Sequence, residues 1–193
     1  MTPDLTGKEI VIVGMARSGM AAAEFLWKRG VRVTLSDNRP AAALESEIRF
    51  LKERNIRHET GGHSTALFDS ADLIVVSPGV PLSLPVLRQA AQTGKTLISE
   101  IELASRYLRG RVIAITGTNG KTTATTLIGE ILRTSGFPVQ VGGNIGTPLI
   151  SLVEASTEDT WSVVELSSFQ LEAVPTFRPD IAVILNITPD HLD

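Results

Sequence analysis

The sequence predicts an α/β fold made of two parallel-sheet units. Three observations carry that prediction. Short β-branched runs alternate with amphipathic stretches along the whole chain. Two of these runs pass directly into a glycine-bearing turn and then a helix, at residues 14–19 and again at 116–123. The 193 residues are 42% hydrophobic, which allows a real core in one large or two small domains. Such alternation lays strands side by side in a mostly parallel sheet with helices on its faces.

In the first unit, residues 9–13 (EIVIV) form a strand that ends at Gly14. Residues 20–28 are helical, with Ala22, Phe25 and Leu26 on one side, and Arg29-Gly30 closes them. Residues 31–35 are the next strand, ending in Ser36-Asp37. Leu44, Ile48 and Leu51 recur at helical spacing and predict a helix over 45–54. DLIVV at 72–76 is a third strand, closed by Ser77-Pro78-Gly79. A helix over 85–93 and a short strand over 96–99 complete the unit.

The architecture then restarts, which sets a boundary near residues 105–110 and two domains over 1–105 and 106–193. RVIAI at 111–115 is a strand, and a helix over 121–134 follows its turn. That helix is expected to bury Leu127, Ile128, Ile131 and Leu132, and Gly136 stops it. Residues 161–166 and 180–187 are further strands. The second of these (DIAVILNI) is nearly all apolar and is expected at the centre of its sheet.

Composition narrows the function classes. Eighteen Lys and Arg against 21 Asp and Glu give a net charge of −3, with no excess to neutralise nucleic-acid phosphates. No cysteine is present, so a disulfide scaffold is excluded and a reducing compartment fits. The start, MTPDLTGKE, lacks the cationic and apolar regions of a signal peptide, and no apolar run approaches a membrane span. A cytoplasmic protein without membrane or nucleic-acid partners is the expectation.

The first turn, GMARSG at 14–19, would present free N–H groups and a positive helix end to an anion. Asp37 follows at the end of the next strand, where a Rossmann-like unit places an acid beside a ribose. Ala16 stands where the middle glycine of G-x-G-x-x-G would be, and its Cβ argues against close approach of a dinucleotide. A purely structural turn stays open here, as it does for Gly79. The second turn is the stronger signal. Gly117, Thr118, Asn119, Gly120, Lys121, Thr122 and Thr123 form a shortened phosphate-binding loop between strand and helix. Its N–H groups would wrap phosphate oxygens, Lys121 would neutralise them, and the Thr122 hydroxyl would ligate Mg²⁺. Without an anion, a lysine sits badly at the positive end of a helix.

Glu165 lies inside VVEL, where an unpaired acid is costly to bury, so a metal or cation partner is expected. His191 stands between Asp190 and Asp193 after the last strand, and spacing leaves it open between site and loop. Asn144, in VGGNIGTP, could reach a phosphate or cap its turn. Trp161 and Phe169 are expected in the core or a wall, and His58 and His63 on the surface without partners.

Together these residues resemble the Mur ligase family. GTNGKTT at 117–123 is similar to the family's nucleotide motif, and VVELSSFQLE at 163–172 resembles most specifically the branch that adds D-glutamate. GGNIG, LNITPDHLD, SPGV, SEIEL and the opening VIVGMARSGMAAAEFL resemble that branch too. The resemblance implies a Rossmann-like domain for the UDP end of the substrate, followed by the first part of a P-loop-type α/β ATPase domain. It implies ATP-dependent ligation of D-glutamate to UDP-N-acetylmuramoyl-L-alanine through an acyl phosphate, by a monomeric enzyme with two Mg²⁺ ions. Lys121, Glu165 and His191 would be catalytic. Thr122 and Glu165 would hold the first Mg²⁺, and His191 the second, together with a lysine not found in this stretch. Asn144, Ser167 and Gly79 would meet the muramoyl substrate. Asp37 and Arg39 would form the uracil pocket, with Met15 and Ser18 beside it. The D-glutamate site would lie outside these 193 residues, so they are not expected to ligate alone. An NAD(P)-dependent dehydrogenase domain and a non-catalytic nucleotide-binding module are the competing readings; neither explains ELSSFQLE.

Overall fold

The computed structural model describes residues 4–189. The first unit runs β1 (Glu9–Val13), α1 (Arg17–Trp27), β2 (Arg32–Asp37), α2 (Glu45–Glu53), β3 (Arg57–Thr60), α3 (Thr65–Ser70), β4 (Leu73–Val76), α4 (Pro85–Gln92), β5 (Leu97–Ser99) and α5 (Glu100–Ser105). Its five strands are parallel, in the order β3-β2-β1-β4-β5. The second unit runs β6 (Arg111–Thr116), α6 (Lys121–Thr134), β7 (Val139–Gly143), α7 (Leu149–Leu152), β8 (Trp161–Glu165), α8 (Ser168–Leu171) and β9 (Ile181–Ile184). Its strands are also parallel, in the order β7-β8-β6-β9. Among the described residues no helix is long and apolar enough to cross a membrane.

The predicted alternation is present, with informative differences. Helix α1 starts at Arg17, three residues before the predicted start, so Gly19 lies in its first turn. A Cβ on Gly19 would stand 2.0 Å from the Gly14 carbonyl oxygen and 2.7 Å from Ser77 Oγ. Only glycine lets the helix approach the strand tips this closely. Strands β3 and β7 and helices α3, α5, α7 and α8 had no sequence prediction. β3 (RHET) is polar and lies at a sheet edge, and β7 ends in two glycines, so neither shows the apolar run that marks a strand.

Three expectations about burial differ from the structure. Helix α6 turns Thr125, Ile128, Gly129 and Leu132 towards its sheet, and leaves Leu127 and Ile131 more than half exposed. Gly129 sets this rotation. Its missing side chain lets the helix lie against Val141, whose Cγ2 would be 2.6 Å from a Cβ there. Strand β9 lies at an edge beside β6 among the described residues, with Ile181 and Ile184 exposed. Phe169 is likewise exposed, and Trp161 packs edge-on to Phe137 with Arg111 over its ring.

The two sheets share a core. One apolar cluster contains Ile12 and Leu35 of the first sheet, Leu103 of α5, Leu149 and Ile150 of α7, and Val164 of β8. Burying each such side chain contributes about 2 kcal/mol. Buried glutamates of SEIEL reinforce the junction. Glu100 accepts the Ile150 N–H at 2.7 Å, and Glu102 accepts the N–H groups of Thr176 and Phe177 at 3.1 and 2.8 Å.

Candidate functional site

The strand tips of each sheet gather one cluster of polar residues, as parallel sheets do at the carboxyl ends of their strands. In the first sheet, β1, β2 and β4 end around a cavity of about 230 Å³. Its lining includes Gly14, Ala16, Asp37, Arg39, His63 and Gly79. Asp37 is buried at the end of β2. Its Oδ2 accepts the Met15 N–H at 2.7 Å and its Oδ1 accepts the Arg39 N–H at 2.9 Å. The Arg39 guanidinium bridges both oxygens, at 2.9 and 2.7 Å. Burial by itself raises the Asp37 pKa, but these bonds from Arg39 and Met15 outweigh it and bring the carboxyl down to about 2. Asp37 is therefore an anion with both oxygens engaged, and its main action is to hold Arg39 at the cavity.

The other residues expected here divide. Gly79 is exposed on the turn after β4, with φ +83 and open space where a Cβ would be. The Met15 side chain is fully buried in the core, so only its backbone reaches the cluster. Ser18 is half-buried in the first turn of α1 and is not among the lining residues. His63, expected on the surface without partners, lines the cavity and bonds Ser36. The expectation failed because both its partners, Ser36 and Phe68, depend on how β2, β3 and α3 pack together. His58 has a marginal 3.5 Å contact with the Ile56 carbonyl oxygen.

In the second sheet the turn between β6 and α6 is held from outside. Thr118 N–H donates to the Asn186 carbonyl at 3.1 Å, and Asn119 N–H to Asn186 Oδ1 at 2.9 Å. Asn186 Nδ2 returns a bond to the Asn119 carbonyl at 2.9 Å. The Thr118 hydroxyl donates to the Thr188 carbonyl and accepts the Thr188 N–H. Gly117 sits at φ +143, where a Cβ would crowd the Asn186 backbone, and Gly120 caps α6 at φ +82. Both conformations favour glycine. Asn186 was missed because nothing local to LNITPD marks it; its partners Asn119 and Thr118 lie 67 and 68 residues away.

Lys121 bends back over the turn, and its Nζ donates to the Gly117 and Thr118 carbonyls at 2.7 and 2.9 Å. Beside it, the Thr122 hydroxyl donates to Glu165 Oε2 at 2.8 Å. Asn144 Nδ2 donates to Glu165 Oε1 at 2.8 Å, and the Asn144 N–H to the Glu165 carbonyl at 2.9 Å. Glu165 is thus buried at the tip of β8 with both oxygens in use. A Cβ on Gly143 would lie 2.3 Å from the Glu165 carbonyl oxygen, so the glycine allows β7 to bring Asn144 to this point.

Ser167 caps α8: its Oγ accepts the Gln170 N–H, and Gln170 Oε1 accepts the Ser167 N–H at 2.9 Å. The S-x-x-Q spacing in SSFQ is a readable signal for this box. Thr123 is exposed in the first turn of α6. His191 lies outside the described residues. The donors that do converge, a hydroxyl and a carboxylate beside a lysine, are hard oxygen ligands suited to Mg²⁺ with waters and phosphate oxygens completing the shell. Among the described residues no group of three or more His, Cys, Asp or Glu could hold a metal without such help.

Comparison with known proteins gives a consistent result. Residues 8–99 match the Mur ligase MurD-like N-terminal domain, and residues 115–193 match the Mur ligase middle domain. The UDP-N-acetylmuramoylalanine–D-glutamate ligase of Acidobacterium capsulatum is 57% identical over 98% of this chain and 41% of its own length. The same enzyme of Koribacter versatilis is 54% identical, over 98% and 42%. The chain therefore spans about two fifths of the length of these relatives. Among solved structures, the UDP-N-acetylmuramate:L-alanyl-gamma-D-glutamyl-meso-diaminopimelate ligase of Neisseria meningitides aligns with a TM-score of 0.59 at 21% identity, covering 96% of this chain and 62% of that one. The UDP-N-acetylmuramate-alanine ligase of Thermotoga maritima aligns with a TM-score of 0.54 at 22% identity, covering 96% and 43%. These structures share the fold. With both of its parallel-sheet units matched in order, this chain belongs to the Mur ligase family.

Proposed function

We propose that this chain forms the part of a D-glutamate-adding Mur ligase that binds UDP-N-acetylmuramoyl-L-alanine and ATP. The observation that carries the reading is the Lys121, Thr122, Glu165 and Asn144 cluster at the strand tips of the second sheet. An ammonium, a hydroxyl and a buried carboxylate meet beside a turn whose N–H groups open a 14-residue helix. This is the equipment for a triphosphate with its metal. Lys121 would exchange its carbonyl partners for phosphate oxygens. Thr122 and Glu165 would hold a Mg²⁺ ion, which when bound neutralises charge at the γ-phosphate as a carboxylate approaches it. His191 would serve a second ion. In the whole enzyme the alanine carboxylate would take the γ-phosphoryl group, and the amine of D-glutamate would then displace phosphate from the acyl phosphate. Asn144 and Ser167 would meet the muramoyl substrate. Asp37, Arg39 and Gly79 would take the uridine end, with the Met15 N–H and Ser18 behind them. Ala16 is compatible with this, because no dinucleotide pyrophosphate has to cross its turn.

Calorimetric titration of the chain tests the first cavity. UDP-N-acetylmuramoyl-L-alanine is expected to bind, and NADH to bind more weakly or not at all; tighter binding of NADH would overturn the uridine assignment. For the second cluster, Glu165→Ala is expected to weaken binding of ATP with Mg²⁺ by on the order of 10- to 100-fold, as loss of a metal-site partner does. Binding of ATP in EDTA should change far less. Equal losses with and without Mg²⁺ would remove Glu165 from the metal site.

A further inference from the structure

We propose that His63 reads a bound nucleoside in the first cavity, offering its Nε2 as a hydrogen-bond acceptor to an N–H or O–H of the ligand. This rests on the nucleotide reading of that cavity and assigns it a recognition residue. The argument starts at Ser36, fully buried beside Asp37 on β2. Its Oγ lies 2.6 Å from Glu59 Oε1 and 2.6 Å from His63 Nδ1. A hydroxyl carries one proton. Glu59 also accepts the N–H and the hydroxyl of Ser64, at 3.0 and 2.6 Å. Burial pushes the Glu59 pKa up, but the bonds from Ser36 and Ser64 outweigh it and hold the carboxyl below its ordinary value. Glu59 is therefore an anion that can only accept, and the Ser36 proton goes to it. The Ser36 oxygen must in turn accept from His63, which places the ring proton on Nδ1.

The ring is also fixed by shape, since Phe68 meets it edge-on with centroids 5.9 Å apart. With Nδ1 committed, Nε2 is the polar atom that His63 has left for the cavity it lines. That atom adds an aromatic-ring acceptor to a cavity whose other acceptor oxygens come from Asn38 and Ser77. Arg39 has only donors, and both Asp37 oxygens are engaged by Arg39 and Met15. The charged groups near the ring are Glu59, through Ser36, and the Asp37–Arg39 pair that lines the same cavity. A nucleoside brings donors of its own, the imide N–H of a pyrimidine and the ribose hydroxyls, and each needs an acceptor.

The test compares His63→Asn with the wild-type chain, using UMP as the probe. Asparagine can keep a donor near the Nδ1 position but has no counterpart of Nε2. The variant is expected to melt cooperatively and to bind UMP about tenfold more weakly, the worth of roughly one hydrogen bond. Two analogues identify the ligand donor: 3-methyl-UMP lacks the imide N–H, and 2′-deoxy-UMP lacks a ribose hydroxyl. For one of them the wild type should lose the same factor while His63→Asn loses nothing more. In the free wild type, imidazole ¹⁵N spectra should show the proton on Nδ1, and UMP should shift Nε2. Unchanged UMP affinity in the variant, independent losses for both analogues, or an Nε2–H tautomer in the free protein would each overturn the proposal. If the wild type itself does not bind UMP, the nucleotide reading of the cavity falls, and this assignment with it.

Discussion

Replacing Lys121 with alanine is expected to lower the affinity of the chain for ATP with Mg²⁺ by about 100-fold or more, while leaving a cooperative melt. The first half of this result follows from charge. An ammonium that meets phosphate oxygens at a helix N-terminus supplies several kcal/mol that no neighbour replaces. The second half follows from the geometry of the turn. Lys121 donates to the Gly117 and Thr118 carbonyls, so its loss removes two charge-assisted bonds from a partly exposed loop. From the sequence, a cation at a helix N-terminus is a liability whose removal costs the fold nothing. The observed bonds change that expectation to a modest loss of about 1–2 kcal/mol, or a fall of roughly 2–8 °C in melting temperature. Asn186 continues to brace the turn from the other side. Isothermal titration and thermal unfolding of the same preparations check both halves. Near-wild-type affinity would remove Lys121 from the phosphate site, and loss of the cooperative melt would make it a folding residue.

Glu100→Gln is expected to stabilise the chain above neutral pH and to change little in acid. Glu100 opens α5 and is essentially fully buried where the two units meet. One oxygen accepts the Ile150 N–H, and the other has no partner among the described residues. Burial pushes the carboxyl up to about 7 from its ordinary 4.5, against the opposing effect of the Ile150 bond. The folded state thus holds this proton more tightly than the unfolded chain does. Between about pH 4.5 and 7 the unfolded state releases it first, so stability falls as pH rises through that window. The loss reaches about 3 kcal/mol above pH 7. Glutamine keeps an acceptor for Ile150 and cannot ionise, so the variant should escape the loss. Urea melts at pH 5 and pH 8 read this directly. Parallel wild-type and variant curves across that range would show that Glu100 is not the group that titrates.

Legibility followed the range of the interactions. The start of α6 at Lys121 and its stop at Gly136 were readable, because a strand, a glycine turn and a C-terminal glycine are all local signals. So were β1, β4 and β6, whose β-branched runs need both faces covered. Glu165 was singled out by a local anomaly, an acid inside an apolar strand. Its partners were not readable, since Thr122 and Asn144 lie 43 and 21 residues away and reach it only through the order β7-β8-β6. Leu127 and Ile131 misled because helical spacing defines a face but not the angle at which that face is laid down. The small residue Gly129 decides the angle through its closeness to Val141.

The sequence by itself determined the α/β class, the two glycine turns that open helices, and the residue types able to meet a phosphate. Each of these rests on contacts within a few residues. Tertiary structure alone decided that Asp37 is spent on holding Arg39, that His63 faces a cavity, and that Asn186 braces the turn before α6. It also decided that the glutamates of SEIEL bind backbone of the second unit. The physical reason is common to all four. The chain's path through the sheets sets which distant polar atoms come within hydrogen-bond reach of one another.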